Sequence, residues 1–368
     1  MSRFIISGGG TGGHVFPAIA IAQAIKRLEP EADILFIGAK GRLEMEKVPA
    51  AGFPIEGLVI AGFIRRVTWK NLTFPFKLAG SLLKARSIIR KFRPDVVIGV
   101  GGYASGPTLR MASSLSIPCL IQEQNSFPGV TNRLLGPRVQ TVCVAYEGMG
   151  TYFPKEKIVL TGNPVRKDLV SLPIPTPKAY EYFQLDPVKK TVLILGGSGG
   201  AKSINEAMLA WIQRGIPDNI QLLWQTGKHY YENIKVQGSK FKVLLPFIDR
   251  MDLAYSCADL IVSRSGAIAI SEFCLVGKPV ILVPSPNVAE DHQTKNALAL
   301  VHKEAAVMIR DQEIIGKLPE VVSGLLGDPA QQERLRRNIL ELGIPDAADR
   351  IAKEVFKLAP NNSKHHGS

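Results

Sequence analysis

The chain has 368 residues, 46% of them apolar and 21% charged, and a formal net charge of +13; this excludes a disordered chain and leaves room for two domains. Its four cysteines, Cys119, Cys143, Cys257 and Cys274, stand far apart, which excludes a thiol metal site and fits buried thiols in a reducing compartment. No apolar run approaches the roughly 20 residues that span a bilayer, and no leader-type segment precedes the first apolar run, so the expected compartment is the cytosol.

In chain order, RFIIS (3–7) reads as a strand, followed by a glycine-rich loop and a helix from about Pro17. Further strands are expected at 32–38, 95–100, 118–124 and 139–146. Continuous Val/Ile/Leu runs separated by helices indicate a parallel sheet covered on both faces. A proline-rich stretch follows Gly162-Asn163-Pro164 and marks a boundary. The first domain is therefore placed at 1–164 and the second at 165–345. The second repeats the pattern, with strands expected at 190–195, 220–227, 242–247, 259–266 and 279–284. The fold class is α/β, two doubly wound halves facing each other across a cleft. The last helical segment, 346–360, is expected to cross back onto the first half, and the polar tail NNSKHHGS to be disordered.

Four glycine loops follow strands: GGGTGG (8–13), GVGGYASG (99–106), GGSGGAKS (196–203) and SRSGAIAISE (263–272). Glycines before a helix let an anion approach the unpaired first-turn amides and the positive end of the dipole. The first loop has the G-x-G-x-x-G spacing of a dinucleotide site, but such a site needs an acidic residue ending the second strand. That strand ends Gly38-Ala39-Lys40-Gly41-Arg42, so the NAD reading fails. NADP survives only through Lys40 and Arg42. In the second half, a helix starting near Ala267 aims its amides at a diphosphate, and Glu272 lies where a carboxylate accepts both ribose hydroxyls. Gln293, in the cluster Glu290 to Asn296, suits sugar hydroxyls because an amide both donates and accepts.

The segments GGGTGGHVFPA, GVGGYASGP, EQNSFPGVTNRLL, GNPVR, GGSGGAKSIN, RSGAIAISE and EDHQTKNA occur in this order. Together they resemble the peptidoglycan N-acetylglucosaminyltransferases of glycosyltransferase family 28, from about residue 3 to residue 300. The resemblance implies a GT-B fold, an inverting mechanism, UDP-N-acetylglucosamine as donor and lipid I as acceptor, with lipid II as product. It also implies peripheral attachment to the cytoplasmic face of the bacterial plasma membrane, and a place in cell-wall biogenesis, cell shape and division beside other cell-wall enzymes.

Carried onto this sequence, the resemblance puts Thr11, Gly12 and Gly13 beside the donor sugar and diphosphate. Asn125 contacts the N-acetylglucosamine, Arg166 and Ser198 the diphosphate region, and Ile248 the uracil through its backbone. Ala267, Ile268, Ala269, Ile270 and Ser271 give backbone contacts to phosphate, Glu272 holds the ribose and Gln293 the sugar. Three positions depart from the common pattern: Gly199 for glutamine, Gln122 for histidine and Ala269 for threonine.

Transfer requires a base for the acceptor hydroxyl and stabilisation of the departing diphosphate. His14, closing the first glycine loop, is the candidate base, since an imidazole with pKa about 6.5 suits proton abstraction near neutral pH. Glu123 is the second candidate. The loop Gly101, Gly102, Tyr103, Ser105 and Gly106 is expected to receive the acceptor diphosphate. No D-x-D occurs, so no protein metal site and no tightly bound cofactor are expected, with Mg²⁺ only as a companion of the acceptor's pyrophosphate.

Residues 1–164 hold 20 Lys/Arg against 10 Asp/Glu, and the rest 25 against 22. A one-sided basic half points to an anionic partner. No nucleic-acid motif accompanies it. From Phe63 to Arg93 there are nine Lys/Arg and no acid. Trp69, Lys70, Leu72, Phe74, Phe76 and Lys77 are therefore expected to meet an anionic membrane surface, while Leu82, Ile88, Ile89 and Phe92 form a core-facing stripe. Rival readings are a UDP-sugar:diacylglycerol glycolipid synthase, an NADP-dependent reductase and a non-catalytic basic membrane adaptor.

Overall fold

The computed structural model describes residues 1–60, 74–165, 176–197, 199–234, 242–288 and 291–360. The chain divides into two compact units, Met1–Val165 with Asp346–Ser368, and Arg166–Pro345.

Among the described residues of the first unit, seven strands form one parallel sheet: β1 (Arg3–Gly8), β2 (Asp33–Ala39), β3 (Ile55–Leu58), β4 (Val96–Gly101), β5 (Cys119–Glu123), β6 (Thr141–Val144) and β7 (Ile158–Leu160). Their order is β3-β2-β1-β4-β5-β6-β7. Helices α1 (Gly12–Leu28), α2 (Glu44–Ala50), α3 (Phe74–Phe92), α4 (Ser105–Ser114) and α5 (Val130–Leu135) cover it. Successive strand residues face opposite cores: Phe4 and Ile6 enter one buried cluster and Ile5 the other. That is why the strands read as unbroken apolar runs.

The second unit repeats this with β8 (Lys190–Leu195), β9 (Ile220–Gln225), β10 (Lys242–Leu245), β11 (Leu260–Ser263), β12 (Val280–Leu282) and β13 (Val307–Met308), in the order β10-β9-β8-β11-β12-β13. Its helices are α6 (Pro177–Phe183), α7 (Lys202–Arg214), α8 (Lys228–Tyr231), α9 (Met251–Cys257), α10 (Ala267–Val276), α11 (His292–Val301), α12 (Ile314–Leu326) and α13 (Pro329–Glu341). Val192 and Ile194 face one core, Leu193 and Leu195 the other.

The last helix, α14 (Ala347–Leu358), belongs to the first unit. Ile351, Ala352 and Val355 are buried with α1 and the sheet. Phe356 meets Phe4 edge-on at 5.5 Å, and Arg27 pairs with Asp349 at 2.5 Å.

The expected start of α1 at Pro17 is corrected. The Thr11 carbonyl accepts the amides of His14 and Val15, both at 3.1 Å, so the helix begins at Gly12 and Pro17 lies inside it. Three short strands, β3, β7 and β13, carry no apolar run long enough to announce them. All four cysteines are buried and unpaired, and burial pushes each thiol up to about 12. On α3, Ala85 and Ile89 are fully buried, with Ile88 and Phe92 packed against the same core.

Candidate active site

In both sheets the strand order reverses once, between β1 and β4 and between β8 and β11. Ligands of open parallel sheets bind beyond the strand C-termini at such a switch point. The four glycine loops follow these four strands. Each unit therefore carries a pair of loops at its own switch point.

In the first unit the two loops touch. The Gly9 amide donates to the Gly101 carbonyl at 3.3 Å. A Cβ on Gly102, which has φ +85°, would overlap Gly9 O and lie 3.0 Å from its carbonyl carbon and nitrogen. His14 crosses from one loop to the other: its Nδ1 is 3.3 Å from Thr11 Oγ1, and a Cβ on Gly101 would fall 2.9 Å from Nε2. Thr11 and Gly13 are exposed, and Gly12 and His14 half-buried.

Glu44, fully buried at the start of α2, was not foreseen. Its carboxylate accepts the Gly10 amide at 2.8 Å and the Ala39 amide at 2.9 Å. It fills the space that a side chain on Gly9 or Gly38 would need. The acid that follows β2 thus holds the first glycine loop to the end of that strand. Sequence carried one signal, an acidic first turn on a helix just after a strand, but not its target 34 residues away.

On the other side of β4, buried amides tie strand ends together. Gln124 Nε2 donates to the Val100 carbonyl at 2.8 Å and also to the Gln122 side-chain oxygen. Gln122 Nε2 donates to Asn163 Oδ1 and Asn163 Nδ2 to the Gln124 carbonyl, each at 3.0 Å.

Glu123 is 1% exposed. Its carboxylate accepts from Asn125 N at 2.9 Å, Asn125 Nδ2 at 3.2 Å, Gly129 N at 3.3 Å and Asn132 Nδ2 at 2.8 Å. Burial pushes its carboxyl up, and these hydrogen bonds pull it back. The expectation of Glu123 as a second base is corrected on this ground: four donors occupy it, and it shapes the 124–132 loop that fixes Asn125. Glu123→Ala should lower stability by about 3–5 kcal/mol, because several buried donors lose their acceptor. Urea unfolding checks this, and a loss below about 1 kcal/mol would contradict it.

Of the expected acceptor-diphosphate residues, Gly101 and Gly102 form the loop contact and Tyr103 is 53% exposed. Gly106 is half-buried at the first turn of α4. Ser105 is a correction: its hydroxyl is buried without a hydrogen-bond partner among the described residues, against the Cα of Gly99, so only its backbone is placed to meet an anion.

In the second unit, Gly266 caps α10 in extended conformation. The Ile270 amide already donates to Gly266 O at 3.0 Å, and the Ser271 hydroxyl donates to Ala267 O at 3.0 Å. Helix geometry leaves the first-turn amides of Ala267, Ile268 and Ala269 for an anion and uses those of Ile270 and Ser271 internally. The expected phosphate contact therefore narrows to the first three.

Glu272 is half-buried on α10 and accepts the Tyr255 hydroxyl at 2.8 Å. Gln293 Oε1 accepts the Ser285 amide at 2.9 Å, and its backbone oxygen accepts the Ser265 hydroxyl at 2.9 Å. Its Nε2 is the end left for a sugar hydroxyl. Ile248 is 1% exposed and its amide donates to Gln225 Oε1 at 2.9 Å, which narrows the expected uracil contact to the carbonyl. Gln225 Nε2 donates in turn to Gly197 O at 3.0 Å, linking that loop to the third glycine loop. Arg264, after β11, donates to Ser203 Oγ at 2.9 Å and to Asp311 Oδ1 at 2.5 Å, which clamps α10's entry to α7.

Arg166, Ser198, Trp69, Lys70 and Leu72 lie outside the described residues, as do Glu290 and the tail; Phe74 and Phe76 are placed on α3 by their backbone alone. Lys77 is exposed. Among the described residues no group of three or more His, Cys, Asp or Glu is placed to hold a metal ion.

Comparison with known proteins gives the family. Residues 4–144 match the glycosyltransferase family 28 N-terminal domain and residues 191–351 its C-terminal domain. The chain is 52% identical over 357 residues to a UDP-N-acetylglucosamine--N-acetylmuramyl-(pentapeptide) pyrophosphoryl-undecaprenol N-acetylglucosamine transferase of Flavobacterium psychrophilum, covering 97% of both chains. It is 54% identical over 364 residues to the Bacteroides fragilis protein of the same name, covering 97% of this chain and 96% of that one. Its structure resembles that of Acinetobacter baumannii MurG with TM-score 0.77 and 27% identity, over 97% of this chain and all of that one. The UDP-GlcNAc 2-epimerase of Neisseria meningitidis, at 17% identity and TM-score 0.68 over 97% of this chain and all of that one, shares the fold alone. With both domains matched in order and half or more of its residues identical to these two relatives, the chain belongs to glycosyltransferase family 28.

Proposed function

We propose that the chain is an inverting glycosyltransferase. It moves N-acetylglucosamine from UDP-N-acetylglucosamine to the muramyl 4-hydroxyl of lipid I, the undecaprenyl-diphosphate-linked muramyl pentapeptide, and forms lipid II. The observation that carries this reading is the pairing, at the second unit's switch point, of the unpaired α10 amides with the fixed Glu272 carboxylate. That pair suits a nucleoside diphosphate, and the relatives' names supply the sugar and the acceptor.

The chemistry divides between the units. In the second, the amides of Ala267 to Ala269 and the charge of Arg166 stabilise the departing diphosphate. Glu272 binds the ribose, the Ile248 carbonyl the uracil and Gln293 the sugar, with Ser198 near the diphosphate. In the first, His14 is the base. With Nδ1–H donating to Thr11 Oγ1, its Nε2 carries the lone pair. It takes the proton of the 4-hydroxyl as that oxygen bonds to C1 and the C1–diphosphate bond breaks. One displacement inverts the anomeric centre.

The loop from Gly101 to Gly106 receives the acceptor diphosphate through its backbone, and a Mg²⁺ ion arriving with that diphosphate would offset its charge. The basic first unit meets the anionic inner face of the membrane. Exposed Lys77, Leu78 and Leu83 on α3 support this, since basic and apolar side chains together bind a headgroup boundary.

Donor competition tests the reading. With lipid I as acceptor, labelled sugar from UDP-N-acetylglucosamine is expected in the lipid fraction, and faster incorporation from UDP-glucose or UDP-galactose would overturn it.

A further inference from the structure

Tyr255 looks like a core aromatic. It lies on α9, where every residue from Leu253 to Cys257 is buried, and its ring meets Phe273 of α10 edge-on, with centroids 6.1 Å apart and planes at 87°. A buried phenol needs a hydrogen-bond partner. This one has reached the edge of the site: it is 1% exposed, and its hydroxyl donates to Glu272 Oε2 at 2.8 Å. α9 starts three residues after Ile248, so one short helix joins the loop expected to read the base to the carboxylate expected to read the sugar.

We propose that Tyr255 is a positioning residue for the donor, holding the Glu272 carboxylate in the rotamer that accepts the ribose hydroxyls. This rests on the assignment of Glu272 to the ribose. A glutamate has three side-chain torsions to immobilise when a ligand binds, and a bond made beforehand removes that cost from binding. The phenol bond to a carboxylate is charge-assisted and takes one of about four acceptor sites. Recognition of a ribonucleotide therefore depends on a hydroxyl that never touches it. Discrimination against nucleotides lacking the 2′ and 3′ hydroxyls should fall when that hydroxyl is removed, while base and phosphate contacts persist.

The test is calorimetric titration of UDP and 2′,3′-dideoxy-UDP into wild type, Tyr255→Phe, Glu272→Ala and the double variant, with unfolding midpoints measured alongside. Tyr255→Phe keeps the ring and loses one hydrogen bond. It should weaken UDP about tenfold and dideoxy-UDP less than about twofold. In the Glu272→Ala background the same change should add less than about twofold, because coupled residues are not additive. In turnover, KM for UDP-N-acetylglucosamine should rise about tenfold with kcat within about threefold. Equal weakening of both nucleotides would assign Tyr255 to the core alone and overturn the proposal. So would unchanged UDP binding in Tyr255→Phe when Glu272→Ala weakens it. Should Glu272→Ala bind UDP as tightly as wild type, the ribose assignment itself fails, and a different variant reports that failure.

Discussion

Replacing His14 with alanine is expected to lower kcat by about 10²–10⁴-fold, the range for loss of a positioned base, with KM for UDP-N-acetylglucosamine within about threefold. The split follows from where the residue sits. His14 spans the two glycine loops of the first unit, whereas Glu272, Ile248 and Gln293, assigned to the ribose, the uracil and the sugar, lie on α10, the loop before α9 and α11 of the second. Loss of the imidazole removes a proton acceptor without touching the donor amides. Steady-state kinetics with lipid I in detergent micelles would check it. Thr11→Val provides the companion: it removes the oxygen beside Nδ1 and should lower kcat in the same direction but less. A His14→Ala enzyme that keeps kcat and loses donor affinity would move His14 from base to phosphate ligand.

Gly102→Ala should be nearly as damaging for a different reason. The residue sits at φ +85°, where an L side chain costs roughly 1–2 kcal/mol. Its Cβ would also meet Gly9 O and the rest of the Gly9 peptide. The obstacle is backbone on both sides, so no rotamer change relieves it. The two loops must part, which breaks the Gly9–Gly101 contact and carries Gly101 away from His14. We expect kcat/KM for lipid I to fall by at least about 100-fold, near 2.7 kcal/mol of transition-state stabilisation. UDP binding by the second unit should stay within about twofold. Calorimetry with UDP beside turnover with lipid I separates these effects. Gly10→Ala is the control, because its Cβ would meet open space, although its φ of +91° still strains an alanine.

Much of the fold was legible because both faces of each sheet are buried. Strands such as VVIGV and the LIV of β11 had to be apolar throughout, and each is followed by glycines where a helix begins. Three of the four edge strands, β3, β7 and β13, were not legible, whereas the fourth, β10, was. Ile55–Leu58 and Val307–Met308 are short and half-buried, so neither length nor alternation distinguishes them from loop. At the site, the residues proposed to meet a ligand stood out by type: His14, Asn125, Glu272 and Gln293. The residues that hold them did not. Glu44 reads as a helix-start acid, Tyr255 as core and Gln225 as the end of a strand. Their partners lie 34, 17 and 23 positions away, a distance set by tertiary folding and not by local pattern. Glu123 shows the opposite case. A carboxylate beside Asn125 looks like a base until its four donors are counted. Ile270 and Ser271 likewise looked like phosphate ligands, and the helix's own hydrogen bonds leave that role to the three residues before them.

The identity of the acceptor is tested most directly by competition between two lipids. Purified protein given labelled UDP-N-acetylglucosamine should be offered lipid I and diacylglycerol in matched micelles, and the lipid products resolved with their anomeric configuration. One UDP released per label transferred, β-linked sugar on the muramyl 4-oxygen, and no labelled diacylglycerol are expected. Label on diacylglycerol with lipid I untouched, or an α-linked product, would contradict the proposed function.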